Sequence, residues 1–148
     1  MKAAAAAKSA TTSIAAFSPG DSGSGAATGI KPRILIVEDD FLVAGELEHA
    51  LQSAGFEVVG AAISGSEAIE LAKTLHPAIA IMDVRISGTR DGVDTAIELF
   101  QHYGIRSIFA TAHHDPITVA RATKAEPIGW LQKPYTTASL IKAIKAAL

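Results

Sequence analysis

The chain has 148 residues, 49% of them hydrophobic, no cysteine and a formal net charge of −2. That length suggests one domain with enough apolar material for a core, while the charge offers no basic field for nucleic acid or anionic lipid. The lack of cysteine excludes disulfides and thiolate metal sites, and no apolar run approaches the ~20 residues of a membrane helix.

Residues 1–30 are dominated by Ala, Ser, Thr and Gly, with Ile14, Phe17 and Ile30 as the larger apolar side chains. Such a segment buries too little surface to offset its ordering entropy and is expected to be a disordered tail. Its apolar patch is too polar for an export signal, and Gly20–Gly25 reads as a flexible linker. From Arg33 onward, strands and helices alternate, and residues 31–148 read as one α/β domain with a parallel sheet. The first strand is expected over about Arg33–Glu38. A helix follows over about Asp40–Ala54, with Val43, Leu47, Ala50, Leu51 and Ala54 on one face and Gly55 as its stop. The second strand covers about Phe56–Ala61, and Ser64 with Glu67 forms a capping box for a helix ending before Pro77. The third strand is about Ala78–Met82, then a loop Val84–Asp91 and a helix to about Tyr103. The fourth strand is about Arg106–Thr111, with Asp115 and Pro116 as N-cap and first residue of the next helix. The fifth strand is about Ile128–Gln132, and the last helix runs from near Thr136 to Leu148 with Leu140, Ile141, Ile144 and Leu148 inward. Five βα units with nearly pure apolar first and third strands imply helices on both faces. The expected fold is a flavodoxin-like, doubly wound five-stranded parallel sheet of order 2-1-3-4-5, with ligands at the carboxyl ends of the first and third strands.

Chemistry gathers at that edge. Glu38, Asp39 and Asp40 follow the first strand, Asp83 the third, Thr111 ends the fourth and Lys133-Pro134 follows the fifth. Clustered carboxylates raise each other's pKa, and a hard divalent cation relieves the repulsion. Mg²⁺ suits them: Asp39 and Asp83 as direct ligands, Glu38 through water, and a backbone carbonyl near Arg85. Asp83 is the expected nucleophile toward phosphorus, with Lys133, the Thr111 hydroxyl and the Ala112 N–H placed to meet phosphoryl oxygens. An X-Pro bond such as Lys133-Pro134 tolerates either isomer. His113-His114 lacks a third ligand for a metal, and His49, His76 and His102 read as ordinary helix or surface residues.

The ordered set Ile34-Leu35-Ile36-Val37-Glu38-Asp39-Asp40, Met82-Asp83, Asp91-Gly92, Phe109-Ala110-Thr111 and Gly129-Trp130-Leu131-Gln132-Lys133-Pro134-Tyr135 closely resembles the receiver domain of two-component response regulators, over about Lys31–Leu148. The resemblance implies that Asp83 is the phosphoacceptor, Glu38 and Asp39 the acidic pair, Thr111 the switch hydroxyl, Lys133 the family's lysine and Trp130 the switch aromatic. Arg85 and His113 occupy positions that, in the family, tune loss of the phosphoryl group to water. The sequence departs from the family at Ser87, where most receivers have proline, in a loop one residue longer than common, and at Trp130, where Tyr or Phe is usual. Glu126-Pro127 interrupts the connection into the fifth strand. The Phe109-Ala110-Thr111 run is similar to that of some alphaproteobacterial stand-alone receivers, which continue with glycine where this chain has Ala112 and His113.

With no effector domain after the last helix, the expectation is a cytoplasmic, stand-alone receiver. It would take a phosphoryl group from a sensor histidine kinase or histidine phosphotransferase with Mg²⁺, act on a downstream protein, and be a monomer or weak dimer. No dedicated turnover is expected. A phosphorelay intermediate or phosphate sink is the alternative. A Mg²⁺-dependent phosphohydrolase would need a second acid two residues after Asp83, where Arg85 stands.

Overall fold

A computed structural model describes residues 31–148; the expectations for residues 1–30 lie outside the described residues. Five parallel strands, β1 (Arg33–Val37), β2 (Glu57–Ala62), β3 (Ile79–Met82), β4 (Arg106–Thr111) and β5 (Gly129–Gln132), form one sheet in the order β2-β1-β3-β4-β5. The helices are α1 (Phe41–Ser53), α2 (Gly65–Leu75), α3 (Gly92–Tyr103), α4 (Pro116–Ala122) and α5 (Thr137–Ala147). The fold and order are those expected, with boundaries displaced by a residue or so.

Alternation along the strands divides the core between the two faces. Ile34, Ile36, Ile79, Ile81, Ile108 and Ala110 pack beneath α1 and α5, against Leu47, Leu51, Leu140 and Ile144. Leu35, Val37, Ala80, Met82 and Phe109 face the other way, toward Ala68, Ala72, Val93, Ala96 and Leu99 of α2 and α3. Both faces of β1 are therefore dry, which is why its sequence is apolar throughout. Each fully buried side chain of this size contributes roughly 1.5–3 kcal/mol through burial. The β1–β2 pairing skips one residue, from Ile34↔Val58 to Leu35↔Gly60, a bulge on the edge strand.

The helix boundaries have local causes. Asp40 caps α1 through Leu42 and Val43 N–H, Asp91 caps α3 through Asp94 N–H, and Asp115 caps α4 through Thr118 N–H. At α2 the Ser64 hydroxyl accepts the Glu67 N–H, but Glu67 Oε1 reaches back to Ile63 N–H at 2.8 Å, one residue further than a capping box requires. Gly55 turns the chain out of α1 at φ 96°, a conformation disfavoured for residues with a Cβ. Two expectations are corrected. The inward face of α1 includes Ala44, which the sequence reading omitted. Leu148 lies beyond the last turn of α5 and is 57% exposed, because Leu140 and Ile144 already complete the inward stripe. After α4 a short 3-10 turn, Thr123–Ala125, leads to Glu126 at φ 45°, so the interruption at Glu126-Pro127 is a left-handed turn. Ser87 donates its N–H to the Ile63 carbonyl at 3.0 Å, a bond that proline could not make.

Candidate functional site

Register brings the strand ends together. Val37 pairs with Met82 and Met82 with Phe109, so the next residues, Glu38 and Asp83, emerge side by side. Their backbones still follow the ladder: Glu38 N–H bonds Ala62 O at 2.9 Å and Asp83 N–H bonds Val37 O at 3.0 Å. Thr111 pairs with Gln132, and Lys133 N–H bonds the Thr111 carbonyl at 2.9 Å. The Lys133-Pro134 peptide is cis.

Lys133 Nζ donates to Glu38 Oε1 and to Asp83 Oδ2, both at 2.8 Å. Glu38 is 5% exposed and Asp83 9%, so this pairing is largely screened from water and correspondingly strong. Burial alone would depress the Lys133 pKa, but its bonds to Asp83 and Glu38 reverse the effect and hold it above the ordinary lysine range. Burial pushes the Glu38 carboxyl up, against the Lys133 hydrogen bond and the Asp40 N–H, which bonds Glu38 Oε2 at 3.1 Å; the neighbouring Asp83 charge adds to the rise. Asp83 Oδ1 has only a long contact, 3.4 Å, with the Arg85 N–H, and it retains acceptor capacity.

The sequence suggested three convergent carboxylates; the structure joins two through a lysine. Asp39 lies past the end of β1, in the turn before α1, and is exposed. Among the described residues no three His, Cys, Asp or Glu side chains converge as a ready-made metal cage. The donor set nevertheless fits Mg²⁺, which keeps several waters and needs few protein oxygens. The under-bonded oxygen of Asp83, the exposed carboxylate of Asp39 and the backbone carbonyl of Arg85 are hard donors of the required kind. Both oxygens of Glu38 are already hydrogen-bonded, so a role for it would be indirect.

Thr111 is fully buried, and its hydroxyl accepts the His113 N–H at 3.0 Å. The Arg85 side chain is exposed and His113 half-buried. Trp130 is half-buried. Phe109 stacks on it with ring centroids 4.3 Å apart, and His114 stacks on it at 5.0 Å, inclined by 2°. The sequence carried no signal for that His114 contact beyond the His-His pair, since stacking across strands and loops depends on register. Gly92 was legible only as part of Asp91-Gly92. It is buried, and a Cβ there would overlap the Asp83 carbonyl oxygen and crowd Val84 Cα. Arg121 was not singled out at all; it pairs with Asp91 and Asp94.

Residues 34–145 match the response regulator receiver domain. Transcriptional regulatory protein PdtaR of Mycobacterium tuberculosis is 38% identical over 116 residues, covering 78% of this chain and 56% of that protein. Phyllosphere-induced regulator PhyR of Methylorubrum extorquens is 29% identical over 116 residues, 78% of this chain and 43% of its own length. The chain thus spans about half the length of the curated relatives it matches. Among solved structures, the signal receiver domain of a modulated diguanylate cyclase from Desulfovibrio desulfuricans G20 superposes with a TM-score of 0.75 at 38% identity, covering 80% of this chain and 94% of that one. With the sheet order, the clustered strand ends and a family match across most of its length, this chain belongs to the response regulator receiver domain family of two-component signalling.

Proposed function

We propose that Asp83 is the phosphoryl acceptor of this receiver. The observation that carries the reading is its carboxylate: buried at the end of β3, with one oxygen on Lys133 and the other left with a single long contact. One oxygen of this carboxylate attacks phosphorus while the other is left to the cation; the P–N bond of a phosphohistidine donor breaks, and its electron pair leaves on the imidazole nitrogen. Lys133 offers positive charge to the new phosphoryl oxygens, and the Thr111 hydroxyl, now accepting from His113, can turn to donate to one of them. Asp39, Asp83 and the Arg85 carbonyl would hold Mg²⁺, whose charge neutralises that developing on the transferred group. Arg85 and His113 border the site and bear on how readily water reaches the phosphoryl group.

A sensor histidine kinase or histidine phosphotransferase is the proposed donor, in the cytoplasm, and a protein partner the proposed reader. The added charge, about −1.5 to −2, draws Thr111 and the loop behind it toward Asp83 and changes the surface around α4 and β5. The stacking of both Phe109 and His114 on Trp130 lends weight to a second reading, a relay intermediate or sink in which that aromatic stays still. Asp83→Asn tests the acceptor. Incubated with an acyl phosphate or a labelled kinase, the wild type gains about one phosphoryl group and the variant none, while both keep the same circular dichroism. Stoichiometric labelling of the variant would falsify the assignment.

A further inference from the structure

The backbone of Asp83 is connected to α4 by a short chain of contacts. Gly92 N–H bonds Val84 O at 2.7 Å, and its Cα sits against the Asp83 carbonyl so closely that any side chain would overlap it. Asp91, the preceding residue, caps α3 by accepting the Asp94 N–H at 2.9 Å, and its carbonyl accepts the Thr95 hydroxyl at 2.8 Å. Arg121 reaches from the last turn of α4 onto this cap. Its Nη2 engages Asp91 Oδ2, and its Nη1 lies 3.1 Å from Asp94 Oδ1 and 3.4 Å from Asp91 Oδ1. A planar guanidinium gripping two carboxylates fixes orientation as well as distance.

The other end of α4 is tied to the site by the chain itself. Only Ala112, His113, His114 and Asp115 separate Thr111 from Pro116, and His114 is stacked on Trp130. The helix has 7 residues and few buried side chains of its own; Ala122 is the one buried in the helix. Its position therefore rests heavily on these two attachments. When Thr111 is drawn toward a phosphoryl group on Asp83, the short loop passes the displacement to α4, and the Arg121 grip opposes it.

We propose that Arg121 is a positioning residue, clamping α4 to the Asp91 cap behind the acceptor and so holding the unphosphorylated arrangement. The proposal rests on the acceptor reading of Asp83 for its consequence, though not for the clamp itself. Arg121 and Asp91 are partly exposed, so the grip is weakened by salt and is strong enough to bias an equilibrium without freezing it. By linkage, whatever state the clamp disfavours is populated more when the clamp is cut.

Arg121→Gln tests it, with Asp94→Asn as a second cut in the same network. In the unphosphorylated protein, backbone amides of Val119–Ala122 should exchange with deuterium at least threefold faster in Arg121→Gln, while those of α1 and α5 stay as in the wild type. With acetyl phosphate and Mg²⁺, Arg121→Gln should be phosphorylated about two- to fivefold faster than wild type, and its Trp130 fluorescence before phosphorylation should lie part-way toward the phosphorylated value. Raising salt from 50 to 500 mM should narrow the difference. Unchanged exchange in α4 overturns the clamp. Faster exchange with unchanged or slower phosphorylation in both variants overturns its coupling to the acceptor. A wild type that takes no label overturns the acceptor reading, with the exchange experiment still deciding the clamp.

Discussion

Glu38 is 5% exposed, and an ionised carboxylate so placed is costly unless a cation accompanies it. Lys133 is that cation, and with 27% of its side chain exposed it is the wetter partner. Its raised pKa means that its contribution to stability is whole below the unfolded lysine value of about 10.4 and is lost only as pH climbs through the higher folded value. Glu38 has the opposite consequence at neutral pH. Its folded pKa is raised, so its favourable contribution belongs to the protonated form and is lost as pH rises out of the carboxylate range. Lys133→Met should therefore destabilise the protein at pH 7 by about 1–3 kcal/mol, below the full cost of stripping a completely buried pair. The loss should shrink as pH is lowered toward 5 and Glu38 takes up a proton. Urea unfolding of both proteins at pH 5 and pH 7.5 measures this; a loss that is equal at both pH values would sink the assignment of the cost to Glu38.

At the scale of elements, the contact between α4 and the α3 cap carries its own pH signature. Burial works to raise the Asp91 pKa, but Arg121 and the backbone N–H groups of the cap outweigh it and leave the carboxyl below its ordinary value. A lowered folded pKa contributes stability that is present above the unfolded value, about 3.9, and is lost as pH falls through the folded one. The melting temperature difference between wild type and Arg121→Gln should thus be steady from pH 7 to about pH 4.5 and disappear below it. With both side chains more than a third exposed, the difference corresponds to no more than ~1 kcal/mol; a difference that persists at pH 3 would mean that packing, not charge, is lost with Arg121. Elements of this kind mark the limit of what the sequence discloses. Strand order, caps at Ser64 and Asp115, and the stop at Gly55 were legible because each follows from local chemistry or from a repeating βα pattern. The juxtaposition of Glu38, Asp83, Thr111 and Lys133 was legible because parallel strands put their carboxyl ends on one edge. Arg121 on Asp91, His114 on Trp130 and Gly92 against the Asp83 carbonyl were not, since each depends on the path of a loop or the rotation of a helix. The same limit explains Asp39: adjacency to Glu38 in sequence says nothing of which one stays within the strand geometry and meets Lys133.

For the molecule as a whole, the carboxylates at this edge concentrate negative charge that one lysine only partly offsets. Asp39 is exposed and Asp83 retains an under-bonded oxygen. A ligand that binds this arrangement and not the unfolded chain stabilises it by mass action. At ten times its dissociation constant, Mg²⁺ should contribute roughly 1.4 kcal/mol, which for a domain of this size raises the melting temperature by about 3–8 °C. If Asp39 is one of the two carboxylates that hold the cation, as proposed, Asp39→Ala should abolish most of that gain. The variant without Mg²⁺ should melt no lower than wild type, because losing a charge from the cluster relieves repulsion on Asp83 and Glu38. Ca²⁺, which tolerates looser oxygen coordination than Mg²⁺, should lose less on the same substitution. Thermal melts with and without 10 mM of each cation decide the matter. An equal Mg²⁺ response in wild type and Asp39→Ala would remove Asp39 from the cation site and leave Asp83 and the Arg85 carbonyl to hold it alone.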